Sequence, residues 1–168
     1  AAESGGYWTD QLRNADPIPA YRAMGEEIRR QAGGPVDAFV HCVGTAASLL
    51  GVSDALRARD PGTRIVAVEP TESPVLSGGT PGGHRIDGVG AGFVVPLWHP
   101  GVADAIEHVS TAEATEMAGR LAREEGLFAG TSTGANLVAA LRVAARLGPD
   151  RTVATIMCDT GMKYLAGR

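Results

Sequence analysis

Residues 37–69 read DAFVHCVGTAASLLGVSDALRARDPGTRIVAVE, and their order of textures sets the fold class. Asp37 to Val43 is a short apolar run that fits a buried strand. Gly44-Thr45 allows a turn, and a helix over residues 47–59 follows, with Leu49, Leu50, Val52 and Leu56 on its inner face. Residues 64–69, RIVAVE, are the next strand. Strand, helix and strand within this length predict a parallel crossover unit.

The same alternation continues on both sides. Upstream, Tyr21, Met24 and Ile28 share one face of a helix predicted over 19–32, which Gly33-Gly34 stops. Downstream, residues 70–104 are rich in Gly and Pro and carry little periodicity. A strand is predicted over 105–109, then a helix capped by Ser110 or Thr111 with Glu113 and Glu116 in its first turn, ending at Gly126. A helix over 134–147 and a last strand over 152–157 complete the pattern. It predicts an α/β fold, a largely parallel twisted sheet with helices on both faces, in a single domain over 1–168.

Composition narrows the function classes. With 168 residues, 44% hydrophobic and 20% charged, the chain suits one ordinary core. A net charge of −4 favours neither nucleic acid nor an anionic membrane surface. No apolar run approaches the ~20 residues of a membrane span, and AAESGGYW lacks the features of a secretory signal, so a cytoplasmic location is expected. Cys42 and Cys158 lie in apolar runs without metal-ligand spacing, which predicts buried, reduced thiols and no metal site. Of the 15 basic residues only Lys163 is a lysine, the rest being arginines.

Open parallel sheets bind ligands beyond the carboxyl ends of their strands. Four segments rich in small residues belong there: VGTAAS (43–48), HRIDGVGAGF (84–93), GTSTGAN (130–136) and CDTGMKYL (158–165). The first couples a strand end to a helix N-terminus, where free N–H groups and the helix dipole suit a phosphate. The third repeats the design, with Ser132 just ahead of a helix. Packing and capping account for each turn taken alone. Neither has the Gly-Lys-Ser/Thr of a nucleotide loop or the G-x-G-x-x-G of a dinucleotide site.

Taken in order, YWTDQLRNADPIPAYRAMGEEI, VGTAASLLGV, RIVAVEP, HRIDGVGAGF, GLFAGTSTGAN and CDTGMKYL resemble the cysteine synthase and cystathionine β-synthase family of pyridoxal-phosphate enzymes. The resemblance implies an incomplete large domain of fold type II. It implies that Gly44, Thr45, Ala46, Ala47 and Ser48 wrap the phosphate of pyridoxal 5'-phosphate and that Ser132 bonds its pyridine nitrogen. Gly88 then lies near the substrate face and Asp159 near the pyridine end. The family commonly has glycines where this chain has Ala46 and Ala47, which a Cβ permits only if φ is negative and the methyls point away from the phosphate.

The resemblance also puts the Schiff-base lysine in an N-terminal domain that this chain does not carry. That leaves no catalytic residue here and calls for a lysine-bearing N-terminal half or second chain. The implied activity of the complete enzyme, a homodimer acting on a small amino acid, is β-replacement, an O-activated serine plus sulfide giving cysteine. β-Elimination of the cysteine desulfhydrase kind, a catalytically silent cofactor- or partner-binding half, and a nucleotide-binding domain are the alternatives. Lys163 is assigned to the surface. His41 is read as a satisfied core or strand-end histidine, His84 as a loop-stabilising one, and Glu69 as a partner in a loop salt bridge.

Overall fold

The computed structural model describes residues 5–167. Four strands, β1 (Ala38–Cys42), β2 (Arg64–Pro70), β3 (Ala105–Val109) and β4 (Val153–Ala154), form one sheet in the order β3-β2-β1-β4. Every pairing is parallel, and the central one runs from Ala38 opposite Arg64 to Cys42 opposite Val68. All of β1 is buried, and so is β2 beyond Arg64. That explains why both read as unbroken apolar runs: each of their faces is covered.

Helices α1 (Ile18–Ala32) and α2 (Ala47–Arg59) cover one face, where Phe39, Leu49, Val52, Leu56 and Ile65 form a core. Helices α3 (Thr111–Glu124) and α4 (Thr131–Leu147) cover the other, where Val40, Val66, Val68, Ala135, Ala139 and Val143 pack. The small side chains of α4 let α3 approach closely. A Cβ on Gly134 would stand 2.0 Å from the carbonyl oxygen of Ala114.

Ser110 caps α3 through a reciprocal box: its hydroxyl accepts from the Glu113 N–H, and the Glu113 carboxylate accepts from the Ser110 N–H at 2.9 Å. Ser110→Ala is expected to cost about 1 kcal/mol, read as a lower urea midpoint at unchanged slope.

The segment between β2 and β3 has no regular structure, as its Gly/Pro content predicts, but it is tied down. The Glu69 carboxylate accepts from the N–H groups of Leu76 (2.7 Å) and Ser77 (3.0 Å) and meets His108 Nε2 at 3.2 Å. His84 Nδ1 accepts from the Ile86 N–H, and its Nε2 donates to the Gly90 carbonyl at 3.0 Å. Ile86 thereby enters one core, while Val95 and Val102 enter the other.

Two expected elements differ. Helix α4 begins at Thr131, so Ser132 sits inside its first turn; the cap is Gly130, without a side-chain bond. β4 stops after Ala154 because side chains take over the pairing: Thr155 Oγ1 donates to the Val40 carbonyl at 2.7 Å, and Asn136 Nδ2 to that of Ile156 at 2.9 Å. Among the described residues no helix is long and apolar enough to cross a membrane.

Candidate functional site

At the carboxyl end of β1 the chain turns at Gly44 and enters α2 directly. The turn lies against the 84–93 loop, and a Cβ on Gly44 would stand 2.6 Å from the Gly88 carbonyl oxygen. Only glycine allows that approach. Thr45 Oγ1 accepts from the Ala47 N–H at 3.3 Å, so this hydroxyl helps to shape the turn.

On the other side, the first turn of α4 is a set of hydroxyls with separate tasks. Thr131 Oγ1 accepts from the Asp87 N–H and donates to the Arg85 carbonyl, each at 3.3 Å, which moors the 84–93 loop. Thr133 Oγ1 accepts from the Cys158 N–H at 3.1 Å, which moors the C-terminal segment. Ser132 lies between them. The two helix N-termini thus border a cavity of about 290 Å³, near the ~300 Å³ lower end for small-molecule sites. Gly44, Thr45, Ser48, Gly88, Ser132 and Asp159 all line it.

Ala46 and Ala47 do not line that cavity. Ala46 adopts a left-handed φ of +73°, contrary to the condition set by its Cβ, and its methyl is buried in the α1–α2 core. Helix α2 starts one residue after the Gly44-Thr45 turn, which forces a sharp reversal at Ala46. Burial of the methyl, worth ~0.8 kcal/mol, offsets part of the roughly 1–2 kcal/mol of left-handed strain. Ala47 is the first residue of α2 and borders a neighbouring recess with Thr9, Asn14 and Tyr21.

Asp159 Oδ2 accepts from the Tyr164 hydroxyl and from Lys163 Nζ at 3.1 Å. Burial and the Asp159 carboxylate push the Tyr164 hydroxyl well above its ordinary value, so at neutral pH it stays protonated and donates to that partner. Lys163 is 61% exposed at the mouth of the cavity, consistent with a surface assignment, although it also lines the site.

Cys42 is buried as expected, whereas Cys158 is exposed, because β4 ends before it and the chain diverges from the sheet. Burial raises the Cys42 thiol well above its ordinary value, and the Cys158 sulfur, turned inward to Asn136 although the residue as a whole is exposed, is raised by desolvation, so neither is a ready thiolate. Among the described residues no group of His, Cys, Asp and Glu is arranged to hold a metal.

Sequence reading missed Asn136, the buried hub behind the cavity. Its Oδ1 accepts from the Cys42 N–H at 2.7 Å, and its Nδ2 reaches the Ile156 carbonyl, His41 Nδ1 at 3.2 Å and Cys158 Sγ at 3.4 Å. An Asn on the inner face of a predicted helix is the available signal, since a buried amide needs partners.

The cavity can hold an anion at the Gly44–Ser48 end and a polar ring atom at Ser132, with small-residue walls between. A pyridoxal phosphate group fits these donors: hydroxyls and a helix N-terminus for its phosphate, and a hydroxyl for its ring nitrogen.

Comparison with known proteins agrees with that chemistry. A sequence model of the pyridoxal-phosphate dependent enzymes matches residues 1–159. The cysteine synthase of Staphylococcus aureus (strain Mu50) is 41% identical over 166 residues, covering 98% of this chain and 54% of that protein. The solved O-acetyl serine sulfhydrylase isoform 3 of Entamoeba histolytica superposes with a TM-score of 0.91 at 36% identity, over 95% of this chain and 48% of its own. A hydrogen sulfide-producing enzyme of Fusobacterium nucleatum superposes at 0.90 with 31% identity, over 98% and 56% respectively. The chain therefore spans about half the length of the curated relatives it matches. With a match through nearly all of its length and a cavity of matching chemistry, the chain belongs to the pyridoxal-phosphate dependent enzyme family.

Proposed function

We propose that this chain supplies the phosphate and ring-nitrogen half of the site of a cysteine synthase-like enzyme, which replaces the β-substituent of an O-activated serine with sulfide. The observation that carries the reading is the single cavity with Gly44, Thr45 and Ser48 on one wall and Ser132 on the other. When bound, pyridoxal phosphate supplies the electron sink for chemistry beside the substrate amine.

The chain's own residues hold and orient. Gly44 lets backbone approach the phosphate, and Thr45 and Ser48 offer it hydroxyls. Ser132 offers the ring nitrogen a neutral partner, which leaves the nitrogen unprotonated and favours exchange at the β-carbon over transamination. Gly88 leaves room at the substrate face. Asp159 turns its Oδ2 toward Tyr164 and Lys163.

In this reading the amine that carries the cofactor comes from a lysine-bearing N-terminal half or second chain, because Lys163 is engaged by Asp159 at the rim. The family likeness extends the reading to a small amino-acid substrate, a homodimer of the complete enzyme and a cytoplasmic location.

Equilibrium dialysis with pyridoxal phosphate tests the half-site. Binding is expected to compete with inorganic phosphate, and Ser48→Ala and Ser132→Ala are each expected to weaken it by roughly 3- to 10-fold, the worth of one hydrogen bond. Borohydride treatment followed by mass spectrometry is expected to leave Lys163 unmodified. No binding, or binding indifferent to both serines, would sink the proposal. Combined with a lysine-bearing N-terminal half, O-acetylserine and sulfide, the chain is expected to support cysteine formation; pyruvate in its place selects β-elimination.

A further inference from the structure

Ser48 is not a free rotor. Its Oγ lies 2.9 Å from Nε2 of His41, a buried histidine on the central strand β1. The other ring nitrogen, Nδ1, lies 3.2 Å from Asn136 Nδ2. Which atom donates at each contact follows from groups that have no choice.

The Cys42 backbone N–H can only donate, so the Asn136 atom 2.7 Å away is its oxygen. The Ile156 carbonyl can only accept, so the atom 2.9 Å from it is the amide nitrogen. Two backbone groups on opposite sides therefore fix the orientation of the amide. One of its two protons goes to the Ile156 carbonyl, and the other lies between His41 Nδ1 at 3.2 Å and Cys158 Sγ at 3.4 Å. Because an amide NH2 cannot accept, the Nδ1 that faces it can only be an acceptor. A neutral imidazole that accepts at Nδ1 carries its proton on Nε2, and that proton points at Ser48 Oγ.

From this chain of forced roles, and resting on the cofactor reading above, we propose that His41 is a positioning residue. By donating to Ser48 it occupies the acceptor side of the hydroxyl and leaves the Ser48 proton for an acceptor-only group in the cavity, a phosphate ester. The relay runs from Asn136 on α4 through His41 on β1 to Ser48 in the first turn of α2, and so joins the two walls of the cavity. Burial keeps the ring neutral, pulling His41 down to about 4, so the arrangement holds throughout the neutral range. His41 is contacted by Ser48 from α2, Asn136 from α4 and the Phe39 ring, 5.8 Å away, on its own strand; Asp87, Cys158, Asp159, Lys163 and Tyr164 line the same cavity, and Asp159 is bonded to Tyr164 and Lys163.

Nitrogen-15 NMR of the histidine-labelled protein reads the tautomer without any ligand. His41 is expected to show a protonated Nε2 and a bare Nδ1. In titrations with inorganic phosphate and with pyridoxal phosphate, His41→Leu is expected to weaken binding by roughly 3- to 10-fold, the worth of one lost hydrogen bond. His41→Gln, whose amide can also donate to Ser48 and accept from Asn136, is expected to restore most of the affinity. In a Ser48→Ala background, His41→Leu is expected to have no further effect.

A protonated Nδ1, or losses from His41→Leu and Ser48→Ala that simply add, would overturn the relay while leaving the cofactor reading intact. Failure of the unmodified protein to bind either probe would overturn the cofactor reading and the relay with it.

Discussion

Asn136→Leu is expected to lower the unfolding free energy by about 3–5 kcal/mol, at the roughly 1–3 kcal/mol that each stranded buried polar group costs. Leucine is close in volume, so the loss comes from hydrogen bonds and not from a void. The Cys42 N–H, the Ile156 carbonyl and His41 Nδ1 would each lose the amide as partner at once. These belong to the central strand, to the segment beyond β4 and to the relay toward Ser48, so one side chain ties the sheet to both walls of the cavity. Urea denaturation followed by circular dichroism measures the effect. A loss below about 1 kcal/mol would mean that water entering from the cavity replaces the amide.

Stability is expected to fall as pH is lowered from about 6.5 toward 4. Burial depresses His41 from 6.5 to about 4 in the folded state. The open chain therefore takes up this proton first, and unfolding becomes more favourable throughout that window. The contribution is intact above 6.5 and fully lost below 4, where it amounts to about 3 kcal/mol at ~1.4 kcal/mol per pH unit. Asp37 and Glu113, whose carboxyls are held low chiefly by backbone N–H groups of Thr152 and Ser110, begin to lose their contributions only as pH falls below their ordinary values of 3.8 and 4.5, so they form the acid limb. Urea midpoints measured from pH 7 down to about 2 separate the two: His41→Gln is expected to flatten the upper part of the profile and leave the acid limb. An unchanged slope in that variant would assign the upper limb to another group.

These expectations show where reading a sequence succeeds and where it stops. Periodicity located α2 at Ala47–Arg59 and β3 at Ala105–Val109, because burial on one helical face or within a covered sheet imposes a local pattern. A cap at Ser110 or Thr111 with Glu113 in the first turn was legible for the same reason, every atom involved lying within one turn, and the fold selects Ser110. Ala46 shows the opposite case. Its φ of +73° depends on how abruptly α2 must leave β1, which no local pattern of small residues encodes.

The alternation of strands and helices, the parallel sheet they imply, the single lysine and the small-residue turns are written in the order of residues, since each depends on neighbours a few positions apart. That the turn at Gly44 meets the loop at Gly88, that Ser132 faces the same cavity, and that Asn136 governs the proton on His41 depend on contacts between segments as far as 95 residues apart. Hydrogen-bond direction is a property of paired atoms in space, and only the folded chain brings those atoms together.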